Sequence, residues 1–197
     1  MAAIDFWYEF ASTYSYPAAM RIEECAAARN VAVRWRPFLL GPIFGDQGWT
    51  TSPFNLYPAK GRYMWRDLER ICLARGLAFR RPDPFPQNSL LAARVATALE
   101  GEERARFSRQ VYRAQFVEGL SIDGPDRVAG ILDACALPPA ALSRAGSAEV
   151  KDALKESVAA ARKLGIFGAP SFVTGDGELF WGDDRLEAAL DWAVAHA

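Results

Sequence analysis

Ile4-Asp5-Phe6-Trp7-Tyr8-Glu9-Phe10-Ala11-Ser12-Thr13-Tyr14-Ser15-Tyr16-Pro17 is the stretch on which the fold turns. Residues 4–10 are dense in aromatics and read as a buried strand. Ala11-Ser12-Thr13 is short and polar, a turn. Beyond it, Ala18, Ile22, Cys25 and Ala26 recur at helical spacing up to Arg29. Pro17 suits the first turn of such a helix, where a missing backbone N–H costs little. Residues 31–38 alternate Val31, Val33 and Trp35 with Ala32, Arg34 and Arg36, the period of a second strand. Strand, helix and strand in such short order make a βαβ unit, with a right-handed crossover expected.

Outward from this unit, residues 39–58 carry Gly41, Pro42, Gly45, Gly48, Pro53 and Pro58 and read as a long loop of the kind that serves function. Helical character then predicts helices over 60–75, 89–100, 102–118, 124–136 and 147–164. After Gly165 the strand pattern returns. Ser171-Phe172-Val173-Thr174 and Glu178-Leu179-Phe180-Trp181 flank a Gly-Asp-Gly turn, a hairpin signal, and Gly182-Asp183-Asp184 opens a closing helix. The expected fold class is α/β, βαβ…ββα, with a thioredoxin-like domain formed by 1–58 and 165–197 and an all-helical insertion over 59–164.

The chain has 197 residues, 51% of them hydrophobic, enough for one real core. Its 23 Lys+Arg nearly cancel its 24 Asp+Glu, and no basic stripe interleaves with aromatics, so nucleic acid is not an expected partner. The absence of a long apolar run argues against a membrane partner. Met1-Ala2-Ala3-Ile4-Asp5 shows no basic segment leading an apolar one, so a cytoplasmic location is expected. Cys25, Cys72 and Cys135 lie far apart, forming neither a CxxC redox pair nor a zinc ligand set. They read as small buried hydrophobes. With His196 the only histidine, next to last in the chain, neither a histidine-based triad nor a metal site is expected.

Three segments carry candidate chemistry. Ser12 lies at the carboxyl end of the first strand, the edge where α/β sheets take ligands. It reads either as a plain N-cap or as part of an anion-favouring helix start. Ala169-Pro170 precedes a strand. As a cis bond it leaves the backbone of Ala169 open to an extended peptide, and as a trans bond it merely opens an edge strand. Asp183 and Asp184 in a first helical turn are either dipole-matched caps or receivers of a ligand ammonium.

Taken in order, Phe10-Ala11-Ser12-Thr13-Tyr14-Ser15-Tyr16, Pro58-Ala59-Lys60-Gly61-Arg62-Tyr63-Met64, Phe167-Gly168-Ala169-Pro170-Ser171-Phe172 and Trp181-Gly182-Asp183-Asp184-Arg185-Leu186 resemble the 2-hydroxychromene-2-carboxylate isomerases. These are relatives of kappa-class glutathione transferases within the DsbA-like thioredoxin superfamily. Thr13 and Pro17 stand where that family more usually has proline and leucine, and Asp183 where asparagine is common. The resemblance implies glutathione as cofactor, with the Ser12 hydroxyl facing its sulfur where redox relatives carry a cysteine. It implies that Ala169, before Pro170, pairs with the cysteinyl part. Trp181, Gly182, Asp183 and Asp184 would then hold the γ-glutamyl end, with Asp184 taking its ammonium. Asn55 is carried over as a glutathione contact and Lys60 as the contact of an anionic substrate carboxylate. Phe44 and Phe85 suit a flat substrate. The implied activity is cis–trans isomerisation of an aromatic-degradation intermediate by reversible thiolate addition, in an enzyme whose relatives are often homodimers. A kappa-like transferase or peroxidase, and a cysteine-less DsbA-like peptide binder, are the alternatives.

Overall fold

The computed structural model describes residues 2–197. Strand β1 (Ala3–Tyr8) lies at the centre of a four-stranded sheet of order β2-β1-β3-β4. It pairs in parallel with β2 (Ala32–Pro37) across helix α1 (Ser15–Ala27), and antiparallel with β3 (Ser171–Thr174). β3 turns back on β4 (Leu179–Trp181), which leads through a short 3-10 turn into the last helix (Leu186–Ala195). The expected βαβ start and ββα end therefore hold, and the two meet along β1.

Aromatic side chains fix that register. Phe6 stands opposite both Trp35 of β2 and Phe172 of β3. Its ring lies 4.9 Å from the first, edge-on, and 5.6 Å from the second, stacked. Alternation along β1 sends Ile4, Phe6 and Tyr8 into the larger core, with α1 and the closing helix. Trp7 goes to the opposite face, against Phe38, Val158 and Ala161. A slip of one residue would exchange these faces, so the pairing has one acceptable register.

Between β2 and β3 the chain is helical. Helices α2 (Leu40–Asp46) and α3 (Pro53–Leu56) occupy the stretch expected to be a loop, and the short α8 (Ala140–Arg144) was likewise not foreseen. All three are short. Pro53 starts α3, with the Ser52 hydroxyl accepting the Phe54 N–H at 3.3 Å, a capping signal carried by single residues rather than by periodicity. The longer helices follow the expected segments: α4 (Pro58–Ala74), α5 (Leu90–Ala98), α6 (Gly101–Phe116), α7 (Pro125–Ala134) and α9 (Ala148–Lys163). The closing helix is α10. Among the described residues, no helix is long and apolar enough to cross a membrane.

Helix α6 ties this helical block to the sheet. Tyr8 and Ser108 share a hydroxyl hydrogen bond of 2.7 Å, the Tyr112 hydroxyl donates to the Glu9 carbonyl at 3.0 Å, and Gln115 donates to the Phe10 carbonyl at 2.7 Å. Backbone groups beyond the last sheet pairing of β1 are thus satisfied by the block itself. Phe172→Ala, which empties the centre of this arrangement, is expected to destabilise the protein by roughly 3–5 kcal/mol, read as a lower urea midpoint. A loss below about 1 kcal/mol would mean that the stacked rings do not hold the sheet.

Candidate active site

One cleft of about 1240 Å³ opens where the carboxyl end of β1, the α2–α3 segment, α4 and the β3–β4 hairpin meet. Ser12, Ala169, Trp181, Gly182, Asp183 and Asp184 all line it, so the early turn, the proline loop and the closing acidic turn come together. Lys60, Phe44 and Phe85 line it as well.

Ser12 is nearly buried. Its hydroxyl donates to the Ala169 carbonyl at 2.7 Å and accepts the Ser15 N–H at 3.3 Å. The N-cap position of α1 is Tyr14, which makes no side-chain cap bond; the Ser12 oxygen accepts the first N–H of the helix from two residues further out, and also bridges the two ends of the sequence. The Ala169-Pro170 bond is cis. Of this pair Ala169 lines the cleft and Pro170 does not; the Pro170 carbonyl accepts the Gly182 N–H at 3.0 Å. At Gly168 any Cβ would collide with the indole nitrogen of Trp181. This position must be glycine for the half-exposed Trp181 ring to lie over the loop and against Phe167, with ring centroids 4.8 Å apart.

The two aspartates differ. Asp184 is open, its side chain 72% exposed, with Arg185 3.6 Å away. Asp183 is 2% exposed, and both its oxygens face arginines: Arg21 of α1 at 3.3 Å and Arg75, at the end of α4, at 2.5 Å. Arg21 also pairs with Glu187. Asp183 lines the cleft, and its carboxylate is engaged by this pairing, anchoring two helices to the β4 turn. Asn55 is placed apart from the other expected contacts. It is exposed, donates to the Thr51 hydroxyl at 3.0 Å, and is not among the residues lining the cleft. It lies in α3, whose turn the loop reading did not include. Lys60 projects at the rim with its ammonium 4.8 Å from the centre of the Tyr57 ring. Phe85 packs edge-on against Trp65 at 4.9 Å, and Phe44 lies 5.8 Å from Trp49.

Glu9, which the sequence reading passed over as part of the strand, stands at the cleft base and is 4% exposed. One carboxyl oxygen accepts the Leu40 N–H at 3.0 Å. The other lies 2.5 Å from the Ser89 hydroxyl and 3.3 Å from the Ala11 nitrogen. Burial pushes its pKa above the ordinary glutamate value, against the hydrogen bonds that favour the charged form. A lone carboxylate in an aromatic run was the available signal. Tyr14 also lines the cleft and donates to Asp67 at 3.1 Å, and burial together with that carboxylate holds the phenol well above its usual pKa. None of the three cysteines and no histidine lines the cleft.

A DSBA-like thioredoxin domain model matches residues 3–191. The chain belongs to that family. It is 28% identical over 193 residues to a 2-hydroxychromene-2-carboxylate isomerase of Sphingobium xenophagum, covering 93% of this chain and 94% of that one. It is 26% identical over 199 residues to human glutathione S-transferase kappa 1, covering 93% and 87%. A solved structure of a 2-hydroxychromene-2-carboxylate isomerase superposes with a TM-score of 0.86 at 24% identity, over 98% of this chain and 95% of that one. The fold is therefore the DsbA-like thioredoxin fold, and curated relatives over nearly the whole chain are isomerases and glutathione transferases.

The Glu9 environment predicts a pH dependence. Because its folded pKa is raised, ionising it costs folding free energy. That cost is absent below the unfolded glutamate pKa, grows as pH rises toward the folded value, and is constant above it. Urea midpoints of the wild type relative to Glu9→Gln should therefore fall as pH rises from the unfolded glutamate pKa through the raised folded value. Parallel curves for the two proteins across that range would refute the assignment.

Proposed function

We propose that the protein is a glutathione-dependent isomerase of the 2-hydroxychromene-2-carboxylate isomerase type, which acts on a small anionic product of aromatic-ring degradation. The observation that carries this reading is the Ser12 hydroxyl, 2.7 Å from the Ala169 carbonyl in a cleft that ends at the open Asp184 carboxylate. The site fits a tripeptide thiol by its donor set: a hydroxyl at a helix start, a backbone edge before the cis proline, and a free carboxylate for an ammonium group. When bound, glutathione would supply a thiolate nucleophile for reversible addition to a conjugated double bond, the chemistry that cis–trans isomerisation requires.

The residues of the chain do the rest. Turning its proton from the Ala169 carbonyl toward sulfur, Ser12 stabilises a thiolate, while the start of α1 favours the same negative charge. The carbonyl thus released becomes an acceptor for a ligand backbone N–H, so one hydrogen bond is exchanged for two. Asp184 receives the ammonium of the γ-glutamyl end. Phe44 and Phe85 offer apolar walls to a flat second ligand, and Lys60 at the rim offers a cation to its carboxylate. Holding two reactants together in a half-enclosed cleft lowers the entropic part of the barrier.

Similarity to human kappa 1 supports transferase chemistry in the same site as the second reading. A panel of substrates separates the two: the isomerase regenerates free thiol with each turnover, and the transferase consumes it.

Ser12→Ala should leave urea stability close to wild type, lowering it by roughly 1 kcal/mol for the lost hydrogen bonds. It should leave about tenfold less bound thiolate at neutral pH, read by ultraviolet absorbance during glutathione titration, and slow turnover in proportion. Identical thiolate titrations for the two proteins would remove Ser12 from the chemistry. Asp184→Ala should weaken glutathione binding by about tenfold while leaving the chemical step of the saturated protein close to wild type. Unchanged affinity would show that the γ-glutamyl end lies elsewhere.

A further inference from the structure

The acidic end of the cleft holds more than the aspartates. Arg75 also lines it, although α4 ends far from the β4 turn in sequence. One guanidinium nitrogen, Nη1, is committed to Asp183 at 2.5 Å. Among the described residues Nε and Nη2 make no hydrogen bond, and 30% of the side chain is exposed. The bond to Asp183 pins the guanidinium beside the residue preceding Asp184, so an anchored cation and an open carboxylate border the same end of the cleft.

The charges here nearly cancel. Arg21, Arg75 and Arg185 stand against Asp183, Asp184 and Glu187. Such a site offers little net attraction to a simple anion or cation. It suits a ligand that carries both charges on adjacent groups. An anionic group brought next to Asp183 and Asp184 without a cation of its own would meet uncompensated repulsion, and Arg75 is the group placed to remove it. Its remaining donors are of the kind that engage a carboxylate at close range, and its orientation is already fixed by Asp183, which reduces the ordering cost on binding.

We infer that Arg75 and Asp184 form a two-armed site for an amino-acid zwitterion, in which Asp184 takes the α-ammonium and Arg75 the α-carboxylate of a γ-glutamyl group. The inference rests on the glutathione reading and adds Arg75 to it. Asp183 then acts as the positioning residue that holds the guanidinium in place.

The test is calorimetric titration with glutathione and with an analogue whose γ-glutamyl α-carboxylate is a carboxamide. The wild type should prefer glutathione by about tenfold or more. Arg75→Gln should bring that ratio close to one, and Arg75→Lys should keep part of it. Thermal unfolding checks that each variant is folded; Arg21 still neutralises Asp183 in both. An Arg75→Gln variant that weakens both ligands by the same factor would overturn the inference, because Arg75 would then act only through Asp183. An unchanged ratio would overturn it too. Wild-type protein that binds both ligands equally would end this inference alone, whereas failure to bind either would end the glutathione reading with it.

Discussion

A carboxyl group that has left water at the end of β1 is the constraint around which the cleft is arranged. Burying Glu9 is unfavourable unless its oxygens find donors, and none lies on its own strand. The donors come from three other places: the Ala11 nitrogen of the turn, the Leu40 nitrogen opening α2, and the Ser89 hydroxyl just before α5. Its backbone carbonyl is shared by the Ser12 N–H at 3.0 Å and the Tyr112 hydroxyl at 3.0 Å. The chain can satisfy this one residue only by gathering the turn, the α2 segment and the helical block around it. These are the walls of the cleft.

Two further contacts close the arrangement, and each joins distant parts of the sequence. The Ser12–Ala169 hydrogen bond fastens the first turn to the proline loop. The Asp183 carboxylate fastens α1, through Arg21, and α4, through Arg75, to the turn after β4. A buried carboxylate between two guanidinium groups adds little net stability, since desolvation offsets most of the attraction. What it does confer is placement. The helical block is held at both ends of the cleft, by Glu9 and α6 at the base and by Asp183 at the acidic end.

The βαβ and ββα ends were legible because strands built from Phe6, Trp35 and Phe172 announce themselves by composition and period. The long helices were legible for the same reason. Helices of four to seven residues, such as α2 and α3, span too few turns to establish a period, so proline and glycine there read as loop. The convergence of Ser12, Ala169 and Asp184 on one cleft was legible where motif and chemistry coincided. The site was not legible at Glu9, Arg21 and Arg75, whose partners include Ser89, Glu187 and Asp183, 80 to 166 residues away. No local pattern encodes such pairings. Asn55 shows the opposite case: a motif suggested it, and within α3 its amide donates to Thr51 away from the residues that line the cleft.

The side chain at position 12 limits the chemistry more sharply than the fold does. In a thioredoxin-like site a thiol there can attack a disulfide, forming a mixed disulfide and releasing the other sulfur as thiolate. A hydroxyl cannot be oxidised to a disulfide, and neither Cys25, Cys72 nor Cys135 lines the cleft to replace it. On the proposed glutathione reading, the helix start that would lower the pKa of a protein thiol would act on the sulfur of the ligand instead. Reversible addition to a conjugated carbon needs a thiolate that is stabilised but not captured, and needs no electron acceptor. Under the proposed glutathione reading, hydrogen bonding from Ser12 would meet both conditions.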